Sequence, residues 1–197
     1  MFNVAFDLDN TIANYELVFI HISRILKLDL NDFTKESVKS KIIELYGEAE
    51  WTKWQGRIYG PEMDFAKPFE GWQNALQKLD QRLSITIISH RSQYSHSDER
   101  LDLHRPAQLW VKQHISLMRG YKRIYLEETV DEKIDRINKL KPEIFVDDLE
   151  HVLTHEKFDQ GIRRVLFSPS KNISTNTNDD IIVMRHWDEF PEICKGL

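Results

Sequence analysis

The sequence predicts an α/β protein: a Rossmann-like three-layer sandwich with a mostly parallel sheet, plus a small α-helical cap. Three observations predict it. Short continuous apolar runs alternate with amphipathic helical patterns, as in a parallel sheet covered on both faces. A block of helical pattern without strands, residues 15–67, interrupts that alternation directly after the first run. Several of the apolar runs also end in acidic or hydroxyl residues, at the strand ends where parallel sheets bind ligands.

The first strand is Phe2 to Phe6, apolar except for Asn3, and it delivers Asp7-Leu8-Asp9-Asn10-Thr11. Tyr15, Val18, Ile22 and Ile25 then recur at helical spacing, as do Val38, Ile42 and Leu45, with Gly47 as a C-terminal stop. Trp51-Thr52-Lys53-Trp54 suits a third helical turn, closed by Gly60-Pro61, and Lys67-Pro68-Phe69-Glu70-Gly71 is a return hinge. The expected domains are therefore a core of 1–14 and 68–197 and a cap of 15–67.

Trp72, Ala75, Leu76 and Leu79 mark the next helix, and Ile85–Ser89 the second strand. After Ser89 comes a basic, polar stretch with little sign of regular structure before Pro106: His90, Arg91, His96, Arg100, His104 and Arg105. It reads as an exposed loop, either with ordinary surface charges or at the mouth of a site, binding an anionic leaving group. Trp110, Val111, His114, Leu117 and Met118 share a helix face, on which His114 is a core residue, and the same is expected of Tyr15. Arg123–Tyr125 is a strand. Thr129-x-x-Glu132 is a capping box that starts the helix of Val130, Ile134 and Ile137. Strands at Ile144–Val146, Arg164–Phe167 and Ile181–Met184 complete the sheet, and the Ser-, Asn- and Thr-rich Ser168–Asp180 is a loop.

Composition narrows the function. At 197 residues, 41% hydrophobic and 30% charged, the chain supports one full core with a small inserted module. A net charge of −5 offers no broad basic surface, so no nucleic-acid partner is expected. The single cysteine, Cys194, can form no internal disulfide and suits a reducing compartment. No basic leader and no apolar stretch long enough to span a bilayer is visible, so no membrane partner and a cytoplasmic location are expected.

The chemistry lies at the strand ends. Asp7 and Asp9 stand one residue apart beside an apolar core, an unfavourable placement unless a cation or a shared proton relieves it. The second strand ends at Ser89-His90-Arg91, and another ends in a second acidic pair, Asp147-Asp148. Two acidic strand ends with a hydroxyl suit a magnesium and phosphate site, because hard cations prefer carboxylate oxygen and leave room for phosphate. Lys133, in the first turn of the capped helix, is mildly unfavourable against the helix dipole, which suggests that it serves a phosphate. Each feature has a plainer explanation: a capped turn for Asp7 and Asp9, a helix N-cap for Asp148, a solvated helix residue for Lys133. The recurrence of acidic pairs at two strand ends favours a site.

Asp7-Leu8-Asp9-Asn10-Thr11, Ser89, Lys133 and Asp147-Asp148 resemble, in order, the four motifs of the haloacid dehalogenase (HAD) superfamily, and residues 15–67 resemble the helical cap many members carry. Lys139 and Lys141 are nearby alternatives for the third motif. The resemblance implies a HAD-like fold and a phosphoric monoester hydrolase. Asp7 would be the nucleophile that takes the phosphoryl group, and Asp9 the acid that protonates the leaving oxygen and then deprotonates water. Ser89 would hydrogen-bond the phosphate, and Lys133 would balance its charge. Mg²⁺ would be held by Asp7, the Asp9 backbone carbonyl and Asp147, with Asp148 direct or through water. Members that cleave carbon–halogen bonds lack an acid at the position of Asp9, so its presence points to phosphate chemistry.

Four carboxylates against Mg²⁺ and Lys133 leave one negative charge, so a phosphate dianion should drive a proton onto the least metal-bound acid, Asp9. Asn10, His90, Arg91, Lys53 and Arg57 are the candidate substrate contacts, while Trp51 and Trp54 suit the core of the cap. The expected partner is a small phosphorylated metabolite, a sugar phosphate or nucleotide. Phosphotransfer to another acceptor and a catalytically quiet binding or regulatory domain are the alternatives. A protein phosphatase is disfavoured by the cap.

Overall fold

The computed structural model describes residues 2–79, 83–169 and 180–195. In chain order these form β1 (Phe2–Phe6), β2 (Ala13–Asn14), α1 (Glu16–Leu26), α2 (Lys35–Tyr46), α3 (Glu48–Tyr59), β3 (Lys67–Pro68) and α4 (Trp72–Gln77). They continue through β4 (Leu83–His90), β5 (Tyr94–Ser95), β6 (Asp98–Asp102), α5 (His104–His114), β7 (Tyr121–Glu127), α6 (Val130–Leu140) and β8 (Ile144–Asp147). The last are α7 (Glu150–Leu153), β9 (Arg163–Phe167), β10 (Ile181–Met184) and α8 (Phe190–Ile193).

Six strands form one sheet in the order β10-β9-β8-β1-β4-β7, every neighbouring pair parallel. The chain builds outward from β1 through β4 to β7, then returns to the other side of β1 for β8, β9 and β10. The strand order therefore reverses between β1 and β8, and a crevice opens at their carboxyl ends. Register makes the consequence concrete. Phe6 lies opposite both Ile87 and Val146, so Asp7 and Asp147 leave the sheet side by side.

Side chains alternate across the strands into two apolar layers. Val4, Phe6, Ile85, Ile87, Ile144 and Val146 face one side, which α4, α5 and α8 cover, with Trp72, Trp110 and Phe190 among the buried residues. Ala5, Ile88, Phe145 and Leu166 face the other, against Ile134 and Ile137 of α6 and Val152 and Leu153 of α7. This is the three-layer α/β sandwich of the sequence expectation.

Between β1 and β4 the chain forms α1, α2, α3 and a 3₁₀ turn at Pro61–Phe65. The stretches entering and leaving this segment, β2 and β3, pair antiparallel. Gly47 ends α2 with φ of 86°, and α3 follows as a helix of 12 residues, longer than the single turn expected there. Trp51, Trp54 and Ile58 are buried in the same apolar cluster as Val18, Ile22, Val38 and Ile42.

Two local expectations are corrected. The basic stretch after Ser89 is not irregular: β5 and β6 form a hairpin, and α5 begins at His104, two residues before Pro106, because proline fits the first turn of a helix. The helix of Trp110 stops at His114, and Leu117, expected on its apolar face, is 95% exposed. His114 packs beside Trp110, their ring centroids 4.6 Å apart, as a partly buried structural residue. Of the loop expected at Ser168–Asp180, residues 170–179 lie outside the described ones.

Candidate active site

At the switch point, β1 presents Asp7 and β8 presents Asp147, and Asp148 follows one residue later. Oxygens of these three carboxylates all lie within 4.8 Å of one another. Lys133 reaches them from α6, whose first turn is fixed by the expected capping box: Glu132 N donates to Thr129 Oγ1 and Thr129 N to Glu132 Oε2. Lys133 Nζ donates to Asp7 Oδ1 and to Asp147 Oδ2, each at 2.6 Å, and the residue is 1% exposed. That selects Lys133 over Lys139, which is on the same helix, and over Lys141, whose amine lies 3.8 Å from Asp159.

One lysine does not neutralise three carboxylates, two of them buried and the third half-buried. Burial pushes the Asp7 carboxyl up to about 7, Lys133 opposing this and Asp147 and Asp9 adding to it. The Asp148 carboxyl is pushed well above the usual range, chiefly by burial and then by Asp7 and Asp147. Burial works against the Lys133 ammonium, but Asp147 and Asp7 outweigh it and hold that group above its ordinary value. The residues fit a divalent cation: three convergent carboxylates supply hard oxygen donors, and the excess negative charge is what such a cation would relieve. Asp148 is not a helix cap. The Leu149 N–H at the start of α7 binds Asp147 Oδ1 instead, at 2.9 Å.

Asp9 turns away from this cluster. Its Oδ1 accepts a hydrogen bond from Tyr15 Oη at 2.5 Å and a charge-assisted one from Arg91 Nη2. Arg91 corrects the sequence expectation most sharply. It lines the cleft, but not from an exposed loop: it is 4% exposed, and Nη1 donates to the backbone carbonyls of Tyr59 at 3.0 Å and Leu103 at 3.2 Å. Arg91 Nη2 also donates to Tyr15 Oη at 3.0 Å. Its guanidinium is engaged by the protein, and it adds a positive charge that the count made from the sequence alone omits. Tyr15 is buried as expected, yet it also touches the proton-carrying candidate, a contact that its place on an apolar helix face does not announce.

Asp7, Asp9, Arg91, Lys133 and Asp148 floor a cleft of about 500 Å³ that Asn10, Ser89, His90 and Glu128 also line. Asn10 adopts φ of 57°, a left-handed conformation asparagine tolerates, and so turns the chain sharply after β1. His90 lies at the rim with Nε2 3.1 Å from the Glu128 carbonyl oxygen, and burial lowers its pKa.

The opposite wall is helical, and the expected contacts Lys53 and Arg57 do not line it. Thr52, Gln55, Gly56 and Tyr59 line the cleft from α3, a stripe at helical spacing, and Lys35 joins them from α2. Lys53 and Arg57 are on another face. Lys53 Nζ pairs with Glu50 at 3.0 Å, and Arg57 pairs with Glu62 and stacks over Trp54. The Trp51/Trp54/Ile58 stripe faces the core, so the adjacent stripe meets the cleft and the third meets solvent. Gly56 permits a close approach: a Cβ there would come within 2.2 Å of Ser95 Oγ on the β5–β6 hairpin.

The fold and site define a Rossmann-like α/β protein with an acidic cleft at its switch point. Solved structures make the fold more specific. It resembles a predicted phosphatase from Clostridium acetobutylicum (15% identity, 98% of this chain and 97% of that one, TM-score 0.63). It also resembles a HAD-superfamily hydrolase of subfamily IA from Geobacter sulfurreducens (15%, 98% and 96%, 0.55). A third is a HAD hydrolase from Bacillus subtilis, solved bound to magnesium (11%, 98% in both directions, 0.59). The chain has the HAD-like fold over nearly its full length. No protein-family model matches the sequence, and no curated protein is similar to it in sequence. Among the described residues no helix is long and apolar enough to cross a membrane.

Proposed function

We propose that this protein is a Mg²⁺-dependent phosphatase that hydrolyses a small phosphomonoester, a sugar phosphate or nucleotide, through an aspartyl-phosphate on Asp7. The observation that carries this reading is the Asp7–Asp147–Asp148 cluster with Lys133 bonded into it, at the switch point of a HAD-like fold. Mg²⁺ would be held by Asp7 and Asp147, with Asp148 direct or through water and the Asp9 backbone carbonyl completing the set. When bound, it supplies positive charge to the phosphate oxygens.

The chain's own residues do the rest. Asp7 attacks phosphorus while Lys133 and Ser89 hold the phosphate oxygens, and Asp9 gives a proton to the leaving oxygen. Asp9 then takes a proton from the water that releases phosphate from Asp7. Thr52, Gln55, Tyr59 and Lys35 form the wall that meets the remainder of the substrate, and Asn10 and His90 stand at its rim. The cleft's volume suits a small ligand, and its position between the sheet edge and α3 favours a metabolite over a folded protein.

The test is Mg²⁺-stimulated phosphate release across a panel of phosphorylated sugars, nucleotides and organic acids. Turnover that chelation abolishes and Asp7→Asn eliminates is the expected result. Full activity in Asp7→Asn, or none on any phosphate ester, contradicts the proposal. Adding alcohols or sugars as acceptors separates hydrolysis from phosphotransfer.

A further inference from the structure

Arg91 is a buried cation to which the phosphoryl-transfer steps above assign no work. Lys133 bonds to Asp7 and Asp147, whereas Arg91 bonds to Asp9. Its fork bridges separate parts of the molecule. Nη1 binds the carbonyl of Tyr59, the last residue of α3, and that of Leu103, just before α5. Nη2 binds Asp9 Oδ1 and Tyr15 Oη. Tyr15 is held in turn by its ring, whose centroid lies 5.2 Å from that of Tyr59 and 6.4 Å from that of Phe19. Both donors to Asp9 therefore sit on anchored side chains, and both choose the same oxygen.

The terminal torsion of an aspartate is soft, so a carboxylate with one weak partner presents either oxygen in turn. A charge-assisted bond and a phenolic bond converging on Oδ1 remove that freedom. A planar guanidinium tied through its other nitrogen cannot follow a rotating carboxylate. Resting on the reading of Asp9 as proton carrier, we propose that Arg91 and Tyr15 are positioning residues: they pin Oδ1 and make Oδ2 the atom that exchanges protons with the reacting oxygens.

In the first step, the bond from phosphorus to the ester oxygen breaks as Asp7 bonds to phosphorus. The electron pair stays on the ester oxygen, which takes the proton from Asp9 Oδ2 and departs as a neutral alcohol. The charge left on Asp9 is met at Oδ1 by Arg91 and Tyr15. In the second step, water attacks phosphorus and yields its proton to Oδ2, and the Asp7–phosphate bond breaks to regenerate the carboxylate. The proton count on Asp9 is restored after each cycle.

A merely structural role for these residues would slow all substrates alike. A positioning role would slow most those that need the proton. The experiment compares kcat/KM with Mg²⁺ on two esters: 4-nitrophenyl phosphate, whose phenolate departs readily without a proton, and phenyl phosphate, whose phenolate is about as basic as a tyrosinate, near pH ~10. Tyr15→Phe removes only the hydroxyl, and Arg91→Lys keeps the charge but loses the fork. Thermal melting establishes that each variant is folded. We expect the loss on phenyl phosphate to exceed that on 4-nitrophenyl phosphate by roughly 10-fold, within the range a general acid supplies. We also expect Asp9→Asn to show the same bias and to mask the effect of Tyr15→Phe in the double variant. Equal losses on both esters, or full additivity with Asp9→Asn, overturn the proposal. Failure of the unmodified protein to release phosphate from either ester overturns the phosphatase reading itself, and is told apart because it precedes any variant.

Discussion

The two walls of the cleft are built differently. The sheet-edge wall places Asp7, Ser89 and Lys133 on a parallel sheet and a capped helix, backed by the fully buried Asp147, with almost no exposure and short bonds between charged atoms. The α3 wall offers Thr52, Gln55, Gly56 and Tyr59 from one helical stripe, and its charged neighbours Lys53 and Arg57 point elsewhere. One wall concentrates charge where it is least stable, which suits chemistry. The other presents mostly neutral polar groups and an aromatic ring, which suits recognition. Changes to the first should therefore act on the rate constant and on the metal, and changes to the second on substrate binding.

The largest expected effect is on the first wall. Asp7→Asn should abolish Mg²⁺-dependent phosphate release, because the amide removes both the nucleophile and a metal ligand. Lys133→Met should follow, with turnover lost and a stability cost of about 3–5 kcal/mol, the usual consequence of removing one partner from a buried ion pair. Urea unfolding in a chelator measures the second effect, and a cost below about 1 kcal/mol would contradict the buried geometry.

The pH dependence follows from Asp7. Its carboxyl is held at about 7 in the folded protein against an ordinary 3.8, so the folded state binds the extra proton. In a chelator, this group's contribution to stability is greatest below the ordinary value, falls as pH rises toward the folded one, and is flat above. Mg²⁺ competes with that proton. The Mg²⁺-induced rise in Tm should therefore be larger at about pH 8 than at about pH 5. A rise that shrinks with increasing pH would sink the assignment of Asp7 to the metal cluster.

The second wall should respond more mildly. Gln55→Ala is expected to raise KM several-fold, about 1 kcal/mol for a lost neutral hydrogen bond, with kcat little changed. Lys53→Ala, which breaks only a surface pair, should leave both constants unchanged and stability within about 1 kcal/mol. A large kcat effect from Lys53→Ala would dissolve the distinction between the two walls.

The same contrast decides what was legible in the sequence. The sheet edge was legible because apolar runs mark strands, parallel topology gathers their carboxyl ends, and Thr129 and Glu132 fix where the helix carrying Lys133 begins. The phase of α3 against the core was harder. The sequence puts the Trp51/Trp54 stripe inside, where it is, but points for the contacts to the charged Lys53 and Arg57, whereas the neighbouring stripe Thr52, Gln55, Gly56 and Tyr59 lines the cleft. Charge was the misleading cue, since long cations on helices usually pair and solvate. Arg91 is not legible as a partner of Asp9 because the two meet only through tertiary contact, 82 residues apart, whereas Tyr15, six residues from Asp9, reads as one more core position at helical spacing with Val18 and Ile22. A signal existed: a buried phenol needs a partner, and the carboxylate of Asp9 needed a cation that Lys133 alone could not supply.

The central claim is that Asp7 is phosphorylated during turnover. The direct measurement is mass spectrometry of protein quenched in acid during steady-state hydrolysis of 4-nitrophenyl phosphate with Mg²⁺. One added phosphoryl group on the peptide carrying Asp7, absent in Asp7→Asn and in chelator, is the predicted result. Continued hydrolysis by the Asp7→Asn protein, with no phosphoryl group on any aspartate, would contradict it.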